Sequence, residues 1–191
     1  MHALAQRLEA LLFICPRPVP AARLSAVCQV AEEDVSSALA ELREELAAGR
    51  HGIELREVAG GYTLAVLAQC ADDVRRFAGV ERPDDLSPAA METLAVVAYL
   101  EPVTRAEVAE VRGVSSEWAL RLLEERGLVE QRGRGDSPGA PILYGTSQRF
   151  LTLFGLKSRN DLPALEEFAL RADEVEQIRQ RLHGNAERRG T

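Results

Sequence analysis

Apolar residues recur along this chain first at helical spacing and then in alternation, and that change of period happens twice. Leu4, Leu8, Leu11 and Leu12 fall three to four residues apart and predict an amphipathic helix over residues 4–14. Pro16, Pro18 and Pro20 stop it, because proline lacks an amide hydrogen and crowds the preceding turn. A short helix is expected at 21–28, then a third with Val35, Ala38, Leu39 and Leu42 on its buried face. Beyond it the period drops to two. Ile53, Leu55 and Val58 precede Gly60-Gly61, and Tyr62, Leu64 and Val66 follow, the pattern of a hairpin with a Gly-rich turn.

The same order returns in the second half. Glu9 and Leu11 match Glu92 and Leu94; one residue is then gained, and Pro18, Val19, Leu24, Val27, Val30 and Leu39 match Pro102, Val103, Val108, Val111, Val114 and Leu123. Ser87 and Pro88 read as the cap and first position of a helix over 90–100, ended by Pro102. Thr104 with Glu107 forms a capping box for a helix over 105–111. Arg112-Gly113-Val114 is a tight turn, and Ser115 is the expected cap of a third helix reaching about residue 126. Leu128-Val129 and Ile142-Leu143-Tyr144 flank a Gly/Pro-rich wing. Helix, helix, turn, helix, strand, wing, strand is the order of a winged helix. The expected fold is therefore mainly α with small β-hairpins (α+β): two tandem winged-helix domains over 1–80 and 87–160, followed by a charged tail over 161–191, expected to be partly disordered or helical.

Charge narrows the function. The 191 residues carry a net −7: −3 over 1–80, −2 over the connector 81–86, zero over 87–160 and −2 over 161–191. No segment is basic, so the chain lacks a broad electrostatic footprint for a phosphate backbone. The third helix of the first copy sets Glu32, Glu33, Asp34, Glu41, Glu44 and Glu45 against Arg43 alone. A winged-helix regulator binding DNA directly is the alternative reading, and it rests on fold analogy. Cys15, Cys28 and Cys70 lie far apart with no metal-ligand spacing to His2, His51 or His183. With no nucleophile arrangement, phosphate loop or paired carboxylates, neither an enzyme nor a cofactor is expected. No apolar run of membrane-spanning length and no secretory pattern is found, and the expected compartment is the cytoplasm.

Particular residues then carry a resemblance. Pro102-Val103-Thr104-Arg105-Ala106-Glu107, Arg112-Gly113-Val114, Glu125-Arg126-Gly127-Leu128, Leu143-Tyr144-Gly145-Thr146, Phe154-Gly155-Leu156-Lys157-Ser158 and Asp161-Leu162-Pro163 closely resemble the segregation and condensation protein B family. Leu8-Glu9-Ala10-Leu11-Leu12-Phe13 and Glu57-Val58-Ala59-Gly60-Gly61-Tyr62 fit as well, so the resemblance runs over about 7–168. Ser115, Trp118 and Gly135 depart from the family's usual residues. The resemblance implies a non-catalytic adaptor of the condensin-like SMC complex: a homodimer, formed largely through its first domains, that embraces a central segment of the kleisin (ScpA-like) subunit. Through the kleisin it would reach the SMC ATPase and serve chromosome condensation and segregation at the nucleoid, with weak direct DNA binding or none.

The internal repeat points to a partner surface within the second domain. Trp118 aligns with Asp34 and Leu120 with Ser36, so both are apolar where the sister helix is polar. Packing of Trp118 on a following helix near 151–154 is the plainer reading; a kleisin contact is the sharper one, since tryptophan is enriched at binding hot spots. Arg105, Arg112, Arg121 and Tyr144 join the candidate contacts, with Arg134 and Asp136 from the wing. There Gly133-Arg134-Gly135-Asp136-Ser137-Pro138 reads as a turn. Phe13, Ile14, Tyr62, Leu64 and Val66 are the expected self-association residues.

Overall fold

The structure is a computed structural model and describes residues 2–79, 86–136 and 139–168. Three helices open it: α1 (Ala3–Ile14), α2 (Ala21–Cys28) and α3 (Glu32–Ala47). Ala5, Leu8 and Leu12 of α1, Leu24 and Cys28 of α2, and Val35, Ala38, Leu39, Leu42 and Leu46 of α3 interlock in one core. Each set repeats every three to four residues, so each helix turns one stripe inward. No side chain caps α3, but Glu32, Glu33 and Asp34 occupy its first turn, where the helix dipole favours negative charge.

Strands β1 (Ile53–Val58) and β2 (Gly61–Val66) form the antiparallel hairpin, with Val58 opposite Gly61. Its two-residue turn, Ala59-Gly60, has φ of 51° and 72°, the doubly positive geometry that matches strand twist. A 3₁₀ turn (Ala68–Cys70) and α4 (Ala71–Ala78) follow, and neither is visible in the apolar pattern.

The second winged helix repeats the plan with α5 (Pro88–Leu100), β3 (Val103–Thr104), α6 (Arg105–Arg112), α7 (Glu117–Glu125), β4 (Val129–Arg134), β5 (Ile142–Thr146) and α8 (Gln148–Phe154). Its strands lie in the order β3-β5-β4, all neighbours antiparallel, with an irregularity between Gln131 and Gly133. Leu94, Val97, Val103, Val108, Leu123, Val129 and Phe150 are buried. The Ser87 hydroxyl accepts from the Ala90 amide, and the Thr104–Glu107 capping box is complete. The cap of α7 differs from expectation. It is Ser116, which is buried and spends its hydroxyl on Arg112 and the Val114 carbonyl instead of on the helix.

The hairpin turn of the first winged helix meets the segment after α8. The Ala59 and Gly60 amides donate to the carbonyls of Leu156 and Lys157, each at 2.8 Å, and the Lys157 ammonium pairs with the Glu57 carboxylate at 2.9 Å. Residues 161–168 end in a short 3₁₀ turn, Leu165–Phe168; the remainder of the charged tail, expected to be partly disordered or helical, lies outside the described residues.

Candidate partner-binding surface

The surface around the α6–α7 turn is built from its caps outward. Thr104 donates its amide and its hydroxyl to Glu107 at 2.7 and 2.8 Å, and the Glu107 amide returns a bond to the hydroxyl at 3.3 Å. The backbone donor of Thr104, then its hydroxyl, holds the Glu107 carboxyl below its usual range. This fixes where α6 starts. Gly113, at φ 69°, ends it in the left-handed region that glycine tolerates.

Trp118 then emerges from the first turn of α7 with 65% of its surface exposed. Val111 and Val114, just before it, are exposed as well. A charged frame surrounds the tryptophan: Glu117 pairs with Arg105 at 3.1 Å and with Arg121 at 3.5 Å. All three ion-pair members are solvent-exposed, so the pairs contribute little stability and can exchange partners.

Two candidates leave this surface. Leu120 is 2% exposed and belongs to the core stripe Ala119, Leu120 and Leu123. Its side chain lies two residues on, about 200° round the helix from Trp118's outward face, so a partner cannot reach it in the folded chain. Arg112 is also turned inward, its side chain 8% exposed, donating to Glu92 at 3.0 Å and to Ser116 at 3.3 Å. It ties α6 to α5 and to the start of α7, which is a structural role.

The wing candidates divide similarly. Arg134 is exposed but donates to the Ala140 carbonyl at 3.0 Å, bracing the wing across its base. Asp136 is exposed. Tyr144 is half-buried at the centre of the sheet, between Val103 and Gln131. In the first winged helix, Phe13 and Ile14 are exposed at the end of α1, and Val66 is exposed at the end of β2. Tyr62 and Leu64 instead pack against the core, which removes most of their surface from a partner.

One polar centre escaped the sequence. Glu101, 5% exposed at its side chain, accepts from the Thr146 hydroxyl at 2.7 Å and from the Thr146 amide, and pairs with Arg159 at 2.8 Å. Arg132 donates to the carbonyl of the same Thr146. A side chain at Gly145 would collide with Glu101 and Arg132, which accounts for the glycine inside β5. Glu101 follows a helix and precedes Pro102, so its sequence context reads as a solvated helix end.

Among the described residues there is no group of three His, Cys, Asp or Glu side chains able to hold a metal ion, and no helix is long and apolar enough to cross a membrane. The model of the segregation and condensation complex subunit ScpB matches residues 6–165. The chain belongs to this family. Segregation and condensation protein B of Symbiobacterium thermophilum is 43% identical over 159 residues, covering 83% of this chain and 72% of that protein. The Moorella thermoacetica protein of the same name is 44% identical over 162 residues, covering 85% and 83%. A solved structure of ScpB from Mycobacterium tuberculosis is 36% identical and covers 80% of this chain and 95% of its own, with a TM-score of 0.38.

Proposed function

We propose that this chain is a non-catalytic adaptor that binds the kleisin subunit of a condensin-like SMC complex as a homodimer and so supports chromosome condensation and segregation. The observation that carries this reading is the family match across residues 6–165, which spans both winged helices. Within that frame, residues 1–80 self-associate through a surface including Phe13, Ile14 and Val66. Residues 87–160 hold the kleisin through Trp118 within its Arg105–Glu117–Arg121 frame, with Arg134, Asp136 and the edge of Tyr144 at the wing. The protein works in the cytoplasm at the nucleoid, reaching the SMC ATPase through the kleisin. The acidic start of α3 and the acidic excess of α7, Glu117, Glu124 and Glu125 against Arg121, support protein recognition over phosphate recognition.

Co-expression with the kleisin of the same genome, followed by size-exclusion chromatography with light scattering, tests the proposal. The expected result is one stable complex containing two copies of this chain. Separate elution of the two proteins, or tight sequence-selective duplex binding by this chain alone, overturns it.

A further inference from the structure

The segment that receives the first hairpin tip is itself held at both ends by the second winged helix. At its start, the Leu156 amide donates to the Leu151 carbonyl of α8 at 2.9 Å, just past Gly155, which ends that helix at φ 69°. At its other end, Arg159 Nε meets the carboxylate of Glu101, the residue that caps α5, at 2.8 Å. Between these anchors lie the Leu156 and Lys157 carbonyls that accept from Ala59 and Gly60.

The anchors differ in kind. The Leu156 bond is local to the end of α8. The Arg159 pair is long-range, and its acceptor is fixed: Glu101 is 5% exposed at its side chain, and both of its oxygens accept from Thr146. Arg132 holds the carbonyl of that same threonine. A carboxylate buried this deeply needs a counter-charge, and Arg159 supplies it. The arginine itself is 44% exposed, so the pair ties a surface segment to an immobile point. Beside the tip the junction is a cleft of about 400 Å³, lined by Ala59 and Gly60 on one side and Gln148, Leu151 and Lys157 on the other. Polar bonds, more than close packing, hold it.

We propose that Arg159 and Glu101 are positioning residues that set the arrangement of the two winged helices, by pinning residues 156–159 where both carbonyls meet the first hairpin tip. When the pair opens, the segment swings about Gly155, the tip loses its acceptors, and the first winged helix moves independently of the second. The inference concerns the chain itself and holds whichever partner it binds.

The test is amide hydrogen exchange on the full chain and on two variants, Arg159→Gln and Glu101→Gln/Arg159→Gln. The Ala59 and Gly60 amides are spent on the junction, so their exchange reports it. Both variants are expected to speed it by about tenfold or more. The amides of Val19 and Tyr62, which close the first hairpin, and those of α7 are expected to keep parental rates. The double variant removes the buried charge together with its partner, while the amide oxygen brought by Glu101→Gln still accepts from Thr146. Parental exchange at Ala59 and Gly60 in Arg159→Gln overturns the proposal. So does a uniform rise at every amide, which reports a weaker fold. Return to parental rates in the double variant overturns it too, because the effect then came from an unpaired buried charge alone.

Discussion

Val19 and Tyr62 exchange two backbone hydrogen bonds, each 2.9 Å, and so add a third rung of sheet beside the first hairpin. Val103 faces Tyr144 in the same antiparallel manner in the second winged helix. The residue after Pro18 and the residue after Pro102 therefore do the same work: each leaves its proline extended and closes the edge of its own hairpin.

Gly61 makes that closure sensitive. A Cβ there would stand 2.7 Å from the Val19 carbonyl carbon and 2.9 Å from its nitrogen and oxygen, and backbone cannot swing aside as a long side chain can. Gly61→Ala is expected to destabilise the fold by about 1–3 kcal/mol, the range for forced overpacking. Urea denaturation measures it. A midpoint matching the parent chain's would mean that Val19 is free to shift.

Trp118 and Leu120 are expected to separate binding from folding. Trp118→Ala removes an exposed ring, so the thermal midpoint stays within about a degree while kleisin-peptide affinity falls by about tenfold or more. Leu120→Ala opens a cavity and costs about 2–5 kcal/mol of stability. Calorimetric titration and thermal melts on both variants give the two readouts; equal binding by Trp118→Ala would remove the tryptophan from the kleisin surface.

The capping box predicts a pH signature. Glu107 has its folded carboxyl pKa depressed by the Thr104 amide and hydroxyl, so its stabilising effect is present above the unfolded carboxyl pKa. It is lost as pH falls through the lower, folded value. The stability gap between the parent chain and Glu107→Ala should be constant near neutrality and shrink under acid. Melts from pH 7 to pH 2 follow it, and a gap that widens with acid contradicts the assignment.

Lys157 is the only lysine of the chain, and it pairs with Glu57 beside the two backbone bonds at the hairpin turn. Lys157→Glu places like charges together. Because exposed pairs are worth about 0–1 kcal/mol, global stability should hardly move. Hydrogen exchange at the Ala59 and Gly60 amides should nevertheless accelerate. Unchanged protection would show that the backbone bonds hold without the ion pair.

Much of this architecture was legible from local chemistry. Ser87, Thr104 and the Gly-rich hairpin turn, expected at Gly60-Gly61 and formed by Ala59-Gly60, announce themselves because caps and tight turns are decided by residues close in sequence. Leu120 misled because the repeat aligned it with Ser36, as though α3 and α7 buried the same stripe. They share Val35/Ala119 and Leu39/Leu123, but α7 widens the stripe by one position. Arg112 misled, and Glu101 went unremarked, for a different reason: a charged residue at a helix end reads as solvated unless its long-range partner is known. Glu92 lies twenty residues from Arg112 and Thr146 forty-five from Glu101, distances at which no spacing rule operates. α4 went unread because it has no inward stripe to show.

The contact between the first hairpin turn and the segment after α8 has a mechanical consequence. A winged helix that embraces DNA keeps its hairpin tip available to the duplex; here both tip amides are spent on Leu156 and Lys157. A pull exerted by a partner on the second winged helix therefore arrives at the first through three short bonds, without travelling along the connecting chain. Tension on a partner bound by the second winged helix would be shared directly with the first, which makes the hairpin tip a strut.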